Sequence, residues 1–293
     1  MADGGGDLAA RARAEAYATP LDQFQPHDIR HFTSDTLWPW FERLRAEDPV
    51  HYTAESEYGP YWSLTRYADV VAADGDHARL SSSSVHGGIT LFRPPEGTDP
   101  EAFSEDRTSF ISMDPPRHDD QRRAVSPMFS TLALTELEPL IRSRAAAILD
   151  DLPVGETFDF VDKVSVELTS QMLATLFDFP FEKRRLLPRF SDLLLSGPAP
   201  TVEEQMRRQV EMYTVLGEFA PLWNARSGNK TGRDLISLLA NNPATDGGGD
   251  PQRYFNNIIL LIVAGSDTTR HSITGEPPIT PPNPFRKFHR PKS

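Results

Sequence analysis

The sequence predicts a mainly α fold with one small β-hairpin near its start. Three observations carry this. Apolar residues recur every three or four positions through most of the chain after Pro116. The β-prone residues are confined to two short runs around a turn, and prolines and glycines cluster between the periodic segments.

Thr36 to Asp48 places Leu37, Trp40, Phe41 and Leu44 on one helical face and stops before Pro49, which disfavours helix at the residue ahead of it. Val50 to Thr53 and Tyr61 to Thr65 flank the turn-rich Glu55 to Pro60 and read as a hairpin, followed by a short helix over Tyr67 to Asp74. Ser81 to Ser109 carries four consecutive serines, paired glycines and paired prolines without a period, so it reads as a long loop of the kind that tends to be functional. Beyond it, helices are predicted over Leu134 to Leu149, Phe160 to Phe177, Phe181 to Leu195, Val202 to Trp223 and Asp234 to Leu239. Phe255 to Thr274 is the most apolar, with Ile258 to Val263 covering every face, which predicts a helix buried on all sides. Counted from Pro251 to Gly275 it would run ~36 Å at ~1.5 Å per residue. Glu276 to Ser293 breaks this character: it is Pro-rich, basic at its end and without period, and is expected not to pack.

Composition bounds the function. A formal net charge of −12 over 293 residues argues against nucleic acid or an anionic membrane as partner. The apolar run Ile258 to Ala264 is far shorter than the ~18 residues of a membrane span, and Met1 to Tyr17 lacks the apolar core of a secretory signal, so a cytoplasmic location is expected. With 0 cysteines the chain offers no disulfide, thiolate metal ligand or cysteine nucleophile. The histidines show no metal-ligand spacing, and no phosphate-cradling glycine motif or nucleophile elbow occurs.

Two constellations can carry chemistry. In MDPPRHDDQRR, Met113 to Arg123, Asp114 is a candidate N-cap, Pro115 and Pro116 suit a first turn, and His118 and Arg122 share a face one turn apart, a fork of donors suited to a carboxylate. The same spacing also serves a solvated face with Asp119 paired to Arg123. In AGSDTT, Ala264 to Thr269, a glycine, an aspartate and two hydroxyls interrupt an apolar helix at a cost that needs compensation. Ala264 and Gly265 one turn before Thr268 leave room for a flat ligand or a small molecule, and a Thr hydroxyl bonding back to the i−4 carbonyl can open a local bulge. The alternative is a helix crossing in which small residues let backbones approach and Asp267 finds an arginine.

In this order and spacing the two motifs resemble the C helix and the I helix of the cytochrome P450 haem-thiolate monooxygenases. Similarity extends through Asp48 to Val70, His86 to Phe92, Phe110 to Phe129, Val166 to Pro180 and Asn256 to Gly275, and these runs resemble the bacterial soluble enzymes that hydroxylate the terminal carbon of alkanes and related chains. The resemblance covers roughly 20–275 and implies helices A to I of that fold. It implies haem b held through a propionate by His118 and Arg122, with Ala264, Gly265 and Thr269 also against the cofactor and dioxygen. Asp267 and Thr268 would be the catalytic proton-delivering pair. The loop Ser84 to Ser109 would face the substrate, with Ile89, Leu91 and Phe92 as pocket walls. A ferredoxin and its reductase would supply electrons near Arg117 and Arg123. The family also needs a Cys thiolate and a K-helix Glu-x-x-Arg pair, which these residues lack, so the chain as written is expected not to bind haem in a thiolate-ligated state and not to catalyse. The expected domains are a disordered 1–19, a partial P450 domain over 20–275, and a tail over 276–293 that is frameshifted or disordered. The alternatives are a non-catalytic helical fragment binding an apolar ligand or partner, and a degraded gene remnant.

Overall fold

The computed structural model describes residues 4–91, 99, 109–197, 199–249 and 251–275. The chain divides into two compact units, Met1–Phe103 and Ser104–Ser293, where the sequence gives one domain over 20–275. The division falls in the stretch read as a long loop; the tail over 276–293 lies outside the described residues.

The first unit begins with a helix, α1 (Gly4–Ala18), which corrects the expectation of disorder over 1–19. Alanine, the best helix former, recurs through it, and Ala12 and Ala16 are buried one turn apart. Arg13 pairs with Glu42 at 2.6 Å. Arg43 Nη1 donates to the carbonyls of Ala16 and Thr19, both at 2.6 Å, which satisfies acceptors that a helix end leaves open. Alanines are too small to show as an apolar stripe, so this packing does not register in the hydrophobic pattern. After α2 (Ile29–Thr33), α3 (Trp38–Glu47) buries Trp40 and Leu44 and stops before Pro49. Phe24 stacks on Trp40 with ring centroids 4.4 Å apart. The hairpin forms as expected: β1 (Val50–Thr53) pairs antiparallel with β2 (Tyr61–Leu64), Tyr52 opposite Trp62. Alternation puts His51 and Thr53 inside and leaves Tyr52 and Trp62 in contact on the open face. The short α4 (Tyr67–Gly75) follows.

The second unit is helical. α5 (Arg117–Val125) is headed by Pro116 rather than by the predicted Asp114, whose carbonyl instead accepts the His118 N–H at 3.0 Å. α6 (Thr131–Asp150) is capped by Ser130. The segment predicted as one helix over Phe160 to Phe177 is a π-helical stretch, Val161–Val166, running into α7 (Glu167–Phe177). α8 (Leu186–Leu195), α9 (Val202–Arg226), α10 (Leu235–Ala240) and α11 (Pro251–Gly275) complete it. Phe177, Phe190, Phe219, Leu187, Leu239, Ile258 and Ile262 are fully buried in one core where α7 to α11 meet. No helix among the described residues is long and apolar enough to cross a membrane.

Packing corrects the expectation that α11 is buried all round. Its Tyr254, Ile258, Ile262 and Ser266, successive turns of one face, are buried, whereas Ala264, Thr268, His271 and Ser272 are exposed. The apolar run packs chiefly against α7, α8 and the π-helical stretch, and exposure begins at Ala264.

The joint between α7 and α8 is electrostatic. Glu167 accepts from Arg184 and Arg185, each at 2.8 Å, and from the Gln171 amide at 2.8 Å. Burial opposes its ionisation, but the Gln171 and Arg184 hydrogen bonds and the two guanidinium charges outweigh burial and hold the Glu167 carboxyl below its ordinary value. A carboxyl depressed in the folded state stabilises the fold above its unfolded value, about 4.3, and loses that contribution as pH falls through the lower folded one. The denaturation midpoint of the wild type is therefore expected to drop more steeply below about pH 4.3 than that of Glu167→Gln; parallel curves would contradict the assignment.

Candidate functional site

α5 presents the first constellation. Gln121, Ala124 and Val125 face the core, so His118 is left half-buried and Arg122 exposed on the opposite side. Asp119 does not pair with Arg123 as the solvated-face reading has it. It accepts from His118 Nδ1 at 2.8 Å, while Arg123 turns to Asp120 at 2.9 Å. A carboxylate only accepts, so Nδ1 carries the proton and Nε2 is left without a hydrogen bond among the described residues. Arg122 makes no ion pair among them either. One turn of α5 thus offers a guanidinium for an anion and, in the doubly protonated ring, the His118 Nε2–H as a second donor. Arg117 is also exposed on this helix.

The second constellation splits into two faces, and each sequence reading describes one. On the exposed face, Thr268 Oγ1 donates to the Ala264 carbonyl at 2.5 Å, and Thr269 lies exposed beside it. The helix stays α through this turn, so the back-bond does not open the bulge considered above. On the buried face lies the helix crossing. A Cβ added to Gly265 would stand 2.7 Å from Leu173 Cδ2 of α7, so the missing side chain accommodates Leu173 rather than a ligand. On this side Gly265 meets Leu173, and the exposed positions of the motif are Ala264, Thr268 and Thr269. Asp267 finds its arginine at 2.6 Å in Arg270, which also reaches Asp192 of α8 at 2.9 Å. Asp267 is only 16% exposed and Arg270 12%, and Arg270 and Asp192 line a cleft of about 460 Å³ with Asp162, Arg185 and Arg189. Asp267 therefore sits next to Thr268 in sequence with its carboxylate engaged on the other side of the helix.

Ile89 and Leu91, named as pocket walls, are exposed on the first unit, beyond a single turn of 3₁₀ helix at Ser84–His86. Phe92 lies outside the described residues. Among the described residues no group of three or more His, Cys, Asp or Glu is placed to hold a metal ion.

Sequence reading missed the link between the two constellations. Asn257 Nδ2 donates to Gln121 Oε1 at 2.9 Å, and Asn257 Oδ1 accepts from the Phe110 N–H at 3.1 Å. The available signal was two adjacent amides, Asn256 and Asn257, at the head of an otherwise apolar run.

No family model matches the chain. Individual relatives do. It is 31% identical over 257 residues to linalool 8-monooxygenase of Pseudomonas putida, covering 85% of this chain and 59% of that protein. It is 28% identical over 237 residues to steroid C26-monooxygenase of Mycolicibacterium smegmatis, covering 79% and 54%. The solved structure of cytochrome P450-153 from Novosphingobium aromaticivorans superposes with a TM-score of 0.72 at 37% identity, over 85% of this chain and 62% of that one. That of CYP153D17 from Sphingomonas sp. PAMC 26605 gives 0.67 at 39%, over 82% and 59%. The chain thus spans less than two thirds of the length of each. Superposition and identity agree along most of its residues, and on that agreement the chain belongs to the cytochrome P450 family as a partial member.

Proposed function

We propose that these residues form the propionate-holding and dioxygen-side portion of a haem monooxygenase that inserts oxygen into an aliphatic C–H bond. The observation that carries this reading is Arg122, a guanidinium with no acid partner among the described residues, one turn from a histidine whose Nε2 is left open. A propionate between them would gain a charge-assisted bond from Arg122 and, from the doubly protonated His118 ring, a second from Nε2–H, neither already claimed by a neighbouring carboxylate. Haem, when bound, supplies the iron at which dioxygen is activated. The stripped face at Ala264 would give a flat ligand room, the Thr268 hydroxyl would deliver a proton on that face on turning from the Ala264 carbonyl, and Asp267 would join that delivery on releasing Arg270. Thr269 flanks the same face. The 293 residues hold no cysteine, so a thiolate ligand to iron does not come from them.

The relatives are named for oxygenation of linalool and of a steroid, and the structural neighbours at 37% and 39% identity are P450s of the 153 type. These support oxygen insertion by a haem monooxygenase; terminal hydroxylation of an alkane-like chain is our narrower proposal beyond them. A ferredoxin and its reductase are the proposed electron source, meeting the protein near Arg117 and Arg123.

Binding of iron-free protoporphyrin IX, followed by its fluorescence, tests the donor pair without activity. Arg122→Gln and His118→Gln are each expected to weaken protoporphyrin IX by roughly tenfold or more, the worth of a hydrogen bond to a charged group, while leaving its dimethyl ester unaffected. Equal losses for the acid and the ester would refute propionate recognition. Thr268→Ala should change neither binding nor, beyond about 0.5 kcal/mol, stability, because its hydroxyl is exposed and bonds only within its own helix.

A further inference from the structure

We infer that Asn257 is the positioning residue that sets the His118 and Arg122 face of α5 against α11. The inference rests on the propionate reading of that pair. α5 and α11 are separated by more than a hundred residues, and a ligand held by donors on α5 must lie along Ala264 and Thr268 of α11. The mutual placement of the two helices is therefore part of the site.

Asn257 is 2% exposed and Gln121 9%. Gln121 sits between His118 and Arg122 in α5 and points inward where Arg122 points out. The Asn257 amide group donates to Gln121 and its carbonyl oxygen accepts from Phe110. Phe110 in turn meets the His118 imidazole edge-on, ring centroids 6.4 Å apart. A single buried side chain thus holds both supports of His118, the helix that carries it and the ring beside it.

The chemistry of the contact explains why it fixes position rather than merely filling space. Two apolar side chains here would pack over a range of offsets. Two amides away from water pair at one offset only, since any slip strands a donor and an acceptor. Asn257 precedes Ala264 by two turns of the same helix, so the offset it selects is transmitted along a rigid rod. A displacement of about 1 Å in such a support is enough to degrade a site.

The test uses the full chain and two probes, protoporphyrin IX and its dimethyl ester, with helicity checked by circular dichroism. Asn257→Ala is expected to weaken protoporphyrin IX about tenfold, as loss of a residue supporting a ligand-holding group does, and to leave the ester unchanged. The paired exchange Asn257→Gln with Gln121→Asn keeps one amide facing another and should recover most of the loss, which a merely space-filling role would not predict. Wild-type affinity in Asn257→Ala, with Arg122→Gln still impaired, overturns this inference and leaves the propionate reading standing. If Arg122→Gln is itself unimpaired, the propionate reading fails instead, and amide hydrogen exchange decides the role of Asn257. Its alanine variant should then exchange faster through α5 while α9 stays protected, and unchanged protection in α5 overturns the inference.

Discussion

Replacing Gly265 by leucine is expected to lower the unfolding free energy by about 3 kcal/mol, the cost of overpacking a close-packed interior. The Cβ alone would stand 2.7 Å from Leu173 Cδ2, and Leu173 is 3% exposed, so it has no solvent to swing into. Any alanine in mid-helix gains about 1 kcal/mol over glycine, so Gly265→Ala should lose far less, its cost set by how far Leu173 can turn. The decisive measurement is a double-mutant cycle by urea unfolding. Leu173→Ala alone opens a cavity and costs 2–5 kcal/mol on the usual scale, roughly. Combined with Gly265→Leu it should cost much less than the sum, because the new side chain fills that space. Strict additivity would show that Gly265 and Leu173 do not meet and that the glycine serves the other face of α11.

Arg270→Leu is expected to cost roughly 3 kcal/mol, because it strands the Asp267 carboxylate in a site only 16% exposed. The order within the triad is the stronger prediction. Asp192 is 44% exposed, so Asp192→Asn should cost under about 1 kcal/mol, in the range of a surface ion pair. Arg270→Leu combined with Asp267→Leu should be less damaging than Arg270→Leu alone, since the second change removes the stranded charge. Urea midpoints for the four proteins check this. A loss in the double variant equal to or above that of Arg270→Leu would mean that Asp267 does not depend on Arg270.

Helix positions were legible where the apolar period was strong. Thr131–Asp150 and Val202–Arg226 each follow a run with an apolar face to bury, and Pro251–Gly275 follows a run apolar on every face. The hairpin was legible because alternation and a turn agree. The helix at Gly4–Ala18 was not, because it packs through alanines and through Arg43, a partner far along the chain. The cap of α5 was misplaced because Asp114 and two prolines together fit more than one starting residue, and backbone geometry chose Pro116.

The site divides in the same way. His118 and Arg122 sharing a face, and the clash of polar residues with an apolar helix at Ala264 to Thr269, follow from spacing and residue type, which any helix imposes. Sequence could not say which side of α11 each residue of AGSDTT serves. Gly265 and Asp267 suit a ligand groove and a helix crossing equally well until the neighbours are known. Tertiary structure put Leu173 against the glycine and Arg270 against the aspartate, and left Ala264 and Thr268 open. It also joined Asn257 to Gln121 across 136 positions. By itself the sequence determined periodicity, charge, the absence of cysteine and the local donor pair, because these depend on residues within a turn or two of one another. Contact between distant residues was decided only when the helices packed, because burial and pairing energies belong to neighbours in space.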